Sequence, residues 1–310
     1  MMDTTAGGRK TAFIGLGVMG YPMAGHLANA GHGVAVYNRT RARAEKWAGE
    51  YGGRIAETPA AAAKGAELVF ACVGADDDLR EILHGEDGAL AGMSGGAIFI
   101  DHTTDSAVVA READAAARER DLGFLDAPVS GGQAGAENGA LTVMVGGEEK
   151  RFEQSEPVLR VFGPNVHYVG GPGAGHILKA LNNFLSASHL LATSEAMIIA
   201  TRLGLDPDRT IEILNQSTGR SNTSEVKFPN YILPRTFDAG FPLKLLLKDI
   251  SIATRLAKEE NIPMHTGNLL EQMLAFAVKG GAGDRDHTAL IRMLEEWTGE
   301  CVKGKKAKGK

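Results

Sequence analysis

Apolar residues in the first half of the chain gather into short, nearly continuous runs at 11–14, 34–37, 68–73, 97–101, 123–126, 141–145 and 166–169. Between them lie amphipathic or alanine-rich stretches, among them 21–30, 76–83, 106–120 and 148–162. Unbroken apolar runs suit strands covered on both faces, and their alternation with helices predicts a doubly wound, largely parallel α/β sheet. The pattern changes at Gly170-Gly171-Pro172-Gly173, a cluster that interrupts any regular element. Beyond it no strand pattern returns. Helical spacing runs from 174 to 203 and is closed by Gly204 and Pro207. At ~1.5 Å per residue such a helix spans about 45 Å, long enough to link two domains. Further helices are predicted at 208–216, 242–260, 264–279 and 287–297. The expected organisation is a sheet domain at 10–171, an all-helical domain at 172–298 joined through the long helix, and a lysine-rich disordered tail at 299–310.

Composition narrows this picture. With 44% hydrophobic and 23% charged residues, the 310-residue chain has enough apolar matter for a large core, which excludes disorder as its main state. A net charge of −5 gives no field for gathering nucleic acid. The five lysines from Lys303 onward lack aromatic neighbours and read as a solvated tail. Cys72 and Cys301 match no metal or redox spacing, which suits a reducing, cytoplasmic setting. No apolar run reaches the ~18 residues of a membrane span. Arg9-Lys10 ahead of an apolar stretch superficially copies a signal peptide, but the glycines there have a better explanation. Glycine itself is in excess, 40 residues of 310, so each cluster needs a local reason.

The first reason is clear. Gly15-Leu16-Gly17-Val18-Met19-Gly20 is a GxGxxG run that follows the first strand and opens the first helix. The first glycine permits a tight turn, the second lets backbone approach a pyrophosphate, and the third lets helix and strand pack closely. This context makes the fold Rossmann-type and the ligand a dinucleotide. The second strand ends in Asn38-Arg39-Thr40, where an NAD site usually carries Asp or Glu for the ribose hydroxyls. Asn38 has no charge to repel a 2′-phosphate, and the Arg39 guanidinium can bind one bidentately, so NADP is expected ahead of NAD. Arg39 pointing to solvent or covering the adenine face is the competing possibility.

Three further segments carry candidate chemistry. Ser130-Gly131-Gly132 offers a hydroxyl and accessible N–H groups suited to a small carboxylate, or else an ordinary turn. Asp101-His102-Thr103-Thr104 ends a strand on the side where cofactors sit, with Thr104 able to bond near a nicotinamide. Lys179 and Asn183 share one face of the long helix, and Leu178, Leu181 and Leu185 offer an apolar setting. A lysine so placed becomes a usable acid/base near neutral pH; a surface lysine is the alternative. Lys248, in Leu245-Leu246-Leu247-Lys248-Asp249, reads either as a second functional lysine or as one snorkelling beside a carboxylate. No histidine or cysteine spacing supports a metal, and Gly-x-Ser-x-Gly is absent.

Taken in order, FIGLGVMGYPMAGHL (Phe13–Leu27), DAPVSGG (Asp126–Gly132), GHILKALNN (Gly175–Asn183) and LLLKD (Leu245–Asp249) resemble the motifs of the β-hydroxyacid dehydrogenase family, across nearly the whole chain. The resemblance implies hydride transfer between a nicotinamide cofactor and a small β-hydroxyacid or its semialdehyde, of the 3-hydroxyisobutyrate dehydrogenase or 2-hydroxy-3-oxopropionate reductase type. It implies that Lys179 is the catalytic acid/base, that Ser130, Gly131 and Gly132 hold the substrate carboxylate, and that Asn183 binds on the substrate side. Lys248 falls on a lysine near substrate and nicotinamide, Thr104 on a cofactor-contacting threonine, and Val73, Gly74 and Asp78 on a segment that touches the dinucleotide. DHTTD at 101–105 and Ala71-Cys72-Val73-Gly74 depart from the family's usual residues. Family members are commonly homodimers or homotetramers built through the helical domain. Two alternatives remain: an imine reductase, a relative that usually lacks a lysine at the position of Lys179, and a non-catalytic binding module.

Overall fold

The computed structural model describes residues 8–307; Lys308 and Lys310 of the expected tail lie outside them. The chain forms two compact units, divided between Lys179 and Ala180. Among the described residues the first holds nine strands: β1 (Lys10–Ile14), β2 (Gly33–Tyr37), β3 (Arg54–Ile55), β4 (Leu68–Ala71), β5 (Ile98–Asp101), β6 (Gly123–Asp126), β7 (Val129–Ser130), β8 (Thr142–Gly147) and β9 (Asn165–Gly170). Its helices are α1 (Gly20–Asn29), α2 (Arg41–Tyr51), α3 (Pro59–Ala63), α4 (Asp76–His84), α5 (Ala89–Gly92), α6 (Ala107–Arg118), α7 (Gly132–Glu137) and α8 (Glu149–Leu159).

Strand order is β3-β2-β1-β4-β5-β6-β8-β7, with β9 beside β8. From β3 to β6 every pairing is parallel; β8 then runs antiparallel to both β6 and β7, and β9 is parallel to β8. The four residues of β4, and likewise of β5, are all buried because helices cover both faces of the sheet. Successive residues serve opposite cores: Phe13 and Phe70 pack with Trp47, Ile100 and Phe162, whereas Ala12, Ile14 and Val69 pack with Phe99 and Phe124. The two-residue strands β3 and β7 escape sequence reading because neither has an apolar run of its own. The strand order reverses direction at β1 and β4, so the loops after these two strands diverge and leave a crevice at their carboxyl ends.

The second unit is helical: the rest of α9 (Ala174–Arg202), then α10 (Pro207–Asn215), α11 (Leu243–Glu259), α12 (His265–Ala277) and α13 (Leu290–Thr298). By length and composition α9 is apolar enough to cross a membrane, with a mean hydropathy of 1.2 over 18 residues. Its residues Ala187, Leu190, Leu191, Met197 and Ile198 instead build a core with Phe228, Ile250, Leu274 and Ile291. The division falls eight residues later than the expected 171/172 boundary, since the first turns of α9 are tied to the sheet unit by hydrogen bonds described below. A π-helix at Thr223–Ile232 was not expected. Its start is rich in Ser, Thr and Asn, with Ser221 and Ser224 exchanging hydrogen bonds, and Pro229 lies inside it, so the local pattern reads as loop.

The expected disordered tail needs correction over its described part. Val302 is fully buried, its N–H donates to Glu295 Oε1 at 2.9 Å, and its carbonyl accepts from Arg235. Gly304 N–H donates to the Leu233 carbonyl, and Lys305 binds Asp208 through its backbone and Asp206 through its side chain. The lysines disguise a segment fastened by its backbone and by one valine. Arg235 meets Glu295 twice, at 2.6 and 2.9 Å, with little exposure of either side chain. Removing one partner from such a pair leaves a buried charge and costs ~3–5 kcal/mol. Glu295→Ala should therefore lower unfolding stability by about 3 kcal/mol in urea titration, and a change below ~1 kcal/mol would show that the pair carries no such role.

Candidate active site

The loop from β1 into α1 is shaped by what its glycines leave out. Gly15 has φ of +93°, and a Cβ there would lie 2.3 Å from the Cys72 carbonyl oxygen; one on Gly20 would lie 2.1 Å from that of Gly15. Both glycines are thus required by close approach. Gly17 is the opposite case: a Cβ on it would meet nothing within 4 Å. Its bare backbone at the start of α1 is the kind of cradle a diphosphate fills, favoured further by the positive end of the helix. The residues present therefore fit a dinucleotide.

Neighbouring segments brace that loop. Asn38 Oδ1 accepts from Leu16 N–H at 2.9 Å while its Nδ2 donates to the Thr40 carbonyl, so Asn38 clamps the loop to the end of β2. Arg39 has a side chain 81% exposed and stands 3.5 Å from Asp78 at the start of α4. Asp78 lies directly against Gly74. Val73 N–H donates to Thr103 Oγ1 at 3.0 Å, which joins the end of β4 to the segment after β5, where Thr104 is half-buried. The expected residues at 15–20, 38–40, 73–78 and 104 thus all follow the carboxyl ends of parallel strands.

Beneath these segments lies a buried ionic cluster that the sequence reading missed. Asp101, Asp105, Asp126 and His176 are each essentially inaccessible. Asp126 accepts from Gly173 N–H at 2.8 Å and His176 N–H at 3.0 Å, fastening the start of α9 to the end of β6. The His176 ring stands 3.3 Å from Asp101. Burial alone would strip the imidazole proton, but the facing carboxylates of Asp101, Asp126 and Asp105 outweigh it and raise the His176 pKa above its usual value. Burial, acting in the opposite sense on an acid, raises that of Asp126 against the pull of His176 and the two N–H donors. His102 behaves differently: burial lowers it to about 4. Its neutral ring stacks on Phe70 and its Nδ1 donates to the Ala127 carbonyl at 2.6 Å, leaving it a structural role.

The loop after β6 begins at Asp126 and carries Ser130, Gly131 and Gly132. Ser130 pairs with Thr142 across β7 and β8, so it sits on a strand edge, and Gly131 (φ +135°) turns the chain into α7. Lys179, one turn beyond His176, is only 8% exposed, which removes the surface-lysine alternative. Its setting is not the expected one. Leu178, Leu181 and Leu185 are all exposed, because they lie on other faces of α9. In the helical unit, Asn183 Nδ2 donates to Asp249 Oδ2 at 2.6 Å, and Lys248 lies 3.7 Å from the same carboxylate, so these two expected residues share one acidic partner. Lys227, not anticipated, is nine-tenths buried and donates to Ser186 Oγ on α9 at 2.8 Å.

Residues 10–170 match the family model of the NAD binding domain of 6-phosphogluconate dehydrogenase, and residues 173–294 match that of the NAD-binding region of NADP-dependent 3-hydroxyisobutyrate dehydrogenase. The chain belongs to the β-hydroxyacid dehydrogenase family. An uncharacterized oxidoreductase of Shewanella frigidimarina is 43% identical over 93% of this chain and 98% of its own. The 2-hydroxy-3-oxopropionate reductase of Escherichia coli is 33% identical over 92% of this chain and 97% of its own. Among solved structures, 3-hydroxyisobutyrate dehydrogenase of Mycobacterium tuberculosis with L-serine superposes with a TM-score of 0.84 at 30% identity, covering 93% of this chain and 99% of that one. This member of the family is accordingly an oxidoreductase that uses a nicotinamide dinucleotide.

The cluster makes a pH-dependent contribution to stability with a definite sign. A histidine whose folded pKa is raised stabilises fully below its unfolded value of ~6.5, and that benefit is lost as pH rises through the higher folded value. The difference in unfolding free energy between wild type and His176→Gln should therefore shrink as pH rises above the unfolded value of ~6.5. A constant difference would mean the imidazole carries no charge.

Proposed function

We propose that this protein interconverts a short β-hydroxyacid and its semialdehyde, with Lys179 as general acid/base and NADP preferred over NAD. The observation that carries this reading is a nearly inaccessible lysine on the second turn of a helix whose start is fixed to the sheet by Asp126. A catalytic ammonium needs a dry setting and a defined position, and the clamp supplies the second. The nicotinamide cofactor, when bound, supplies or accepts the hydride. Lys179 then gives a proton to the carbonyl oxygen in reduction and takes the hydroxyl proton in oxidation. Ser130, with the N–H groups of Gly131 and Gly132, holds the substrate carboxylate; Asn183 and Lys248 bind on the substrate side, with Asp249 orienting both.

The preference for NADP rests on Arg39. Its pairing with Asp78 is long and largely solvated, so the guanidinium can exchange that carboxylate for a 2′-phosphate at little cost. Large exposed side chains of the helical unit, including Phe276, Trp297, Leu203 and Ile213, support a homodimer or homotetramer.

Lys179→Ala should reduce kcat by ~10²–10⁴-fold while leaving cofactor affinity intact. Unchanged turnover on every short hydroxyacid and semialdehyde tested would defeat the mechanism, and activity confined to cyclic imines would transfer the protein to the imine reductases. Arg39→Ala should raise KM for NADP by ~10–100-fold with little effect on KM for NAD. Asn38→Ala, which loosens the loop itself, should weaken both cofactors together. If Arg39→Ala moved the two KM values equally, the 2′-phosphate reading would fail.

A further inference from the structure

Two segments of the sheet unit, 110 residues apart in sequence, meet through one side chain. His26 lies in the last turn of α1, and its Nε2 stands 2.9 Å from the Ala136 carbonyl oxygen and 3.2 Å from that of Glu137. Carbonyls only accept, so Nε2 carries the proton and donates to both. The two carbonyls belong to the last turn of α7, where a helix leaves its own acceptors without intrahelical partners. Gly139, just beyond, completes the seat, since a Cβ there would stand 3.3 Å from the His26 ring. The ring is itself firmly carried. Met23, Ala24 and Leu27 of α1 are fully buried, and a Cβ on Gly25 would stand 2.6 Å from the Tyr51 ring.

What this contact holds is the far side of the loop at 130–132. Its near side is fixed by the pairing of Ser130 with Thr142. Gly131 and Gly132 follow at φ of +135° and +63°, and glycine accepts a wide range of conformations. The direction of their N–H groups is therefore set by the elements on both sides. On the far side stands α7, six residues long and largely exposed, with Ala136 as its buried residue. A buried methyl resists withdrawal but fixes no direction. The hydrogen bonds from His26 do. We infer that His26 is a positioning residue for the substrate carboxylate: it fixes the end of α7 on α1 and so aims the N–H groups of Gly131 and Gly132. The helix that opens at the dinucleotide cradle thereby also supports the carboxylate loop. This rests on the reading of Ser130, Gly131 and Gly132 as the loop that takes the substrate carboxylate.

The test uses whichever of 3-hydroxypropanoate, 3-hydroxy-2-methylpropanoate and glycerate the wild type turns over fastest. His26→Leu removes both hydrogen bonds and keeps most of the bulk. KM for the acid should rise about tenfold, with kcat and the Kd of NADPH, read by its fluorescence, each within about twofold. His26→Gln keeps an N–H donor and should bring KM back to within about threefold of wild type. Gly139→Ala reaches the contact from the other side, because its methyl displaces the ring, and should raise KM for the acid in the same way. Helix capping alone would lower thermal stability and leave KM for the acid unchanged in His26→Leu, which would overturn the inference. So would a parallel rise of KM and of the NADPH Kd, the mark of a loosened α1, or a failure of His26→Gln to restore KM. Should His26→Leu not fold, an unchanged KM in Gly139→Ala overturns the inference equally. Turnover of none of these acids by protein that binds NADPH would instead strike the proposed reaction, and this inference with it.

Discussion

The contact on which the rest of the site depends is the pairing of Asp126 with the backbone of Gly173 and His176. A long helix leaving a sheet needs something to fix its rotation and its starting height, because an error of one residue turns every side chain by about 100°. Two N–H groups at its start, those of Gly173 and His176, end on one carboxylate, and the His176 ring beside Asp101 holds the same turn. A Cβ on Gly175 would stand 2.4 Å from the Met144 carbonyl oxygen, so the helix starts hard against the sheet and has no freedom to rise. Lys179 inherits its position from these constraints.

Burying several carboxylates together is expensive, and the usual outcome is that one of them binds a proton. Here a single imidazole answers three acids, and the upward shifts of both His176 and Asp126 express the same shared proton inventory. The cluster joins the segment after β5, the segment after β6 and the head of α9. Those are the pieces that must agree in position if a nicotinamide, a carboxylate and a lysine are to meet one small substrate.

Much of this was legible in the sequence, and what was legible has a common character. The glycine loop, the strand-end positions at 38–40, 73–78 and 104, and Lys179 with Asn183 all announce themselves through spacing or through the lack of a side chain. The buried cluster announces nothing, because Asp101, Asp126 and His176 look in one dimension like any polar residue beside a strand or helix end. Helical phase explains the error at Leu178, Leu181 and Leu185: neighbours in sequence to Lys179, they lie on other faces of α9 and are exposed. The tail failed in the opposite sense, since its lysine content hid Val302 and the backbone bonds that hold it.

Lys227 illustrates the same limit with a different consequence. In sequence it is one lysine between two unremarkable hydrophobic residues, in a stretch whose serines and proline argue for loop. Only the π-helical turn withdraws it from water and brings it to Ser186. The carboxylates Asp249 and Asp286 of the helical unit each accept hydrogen bonds from other groups.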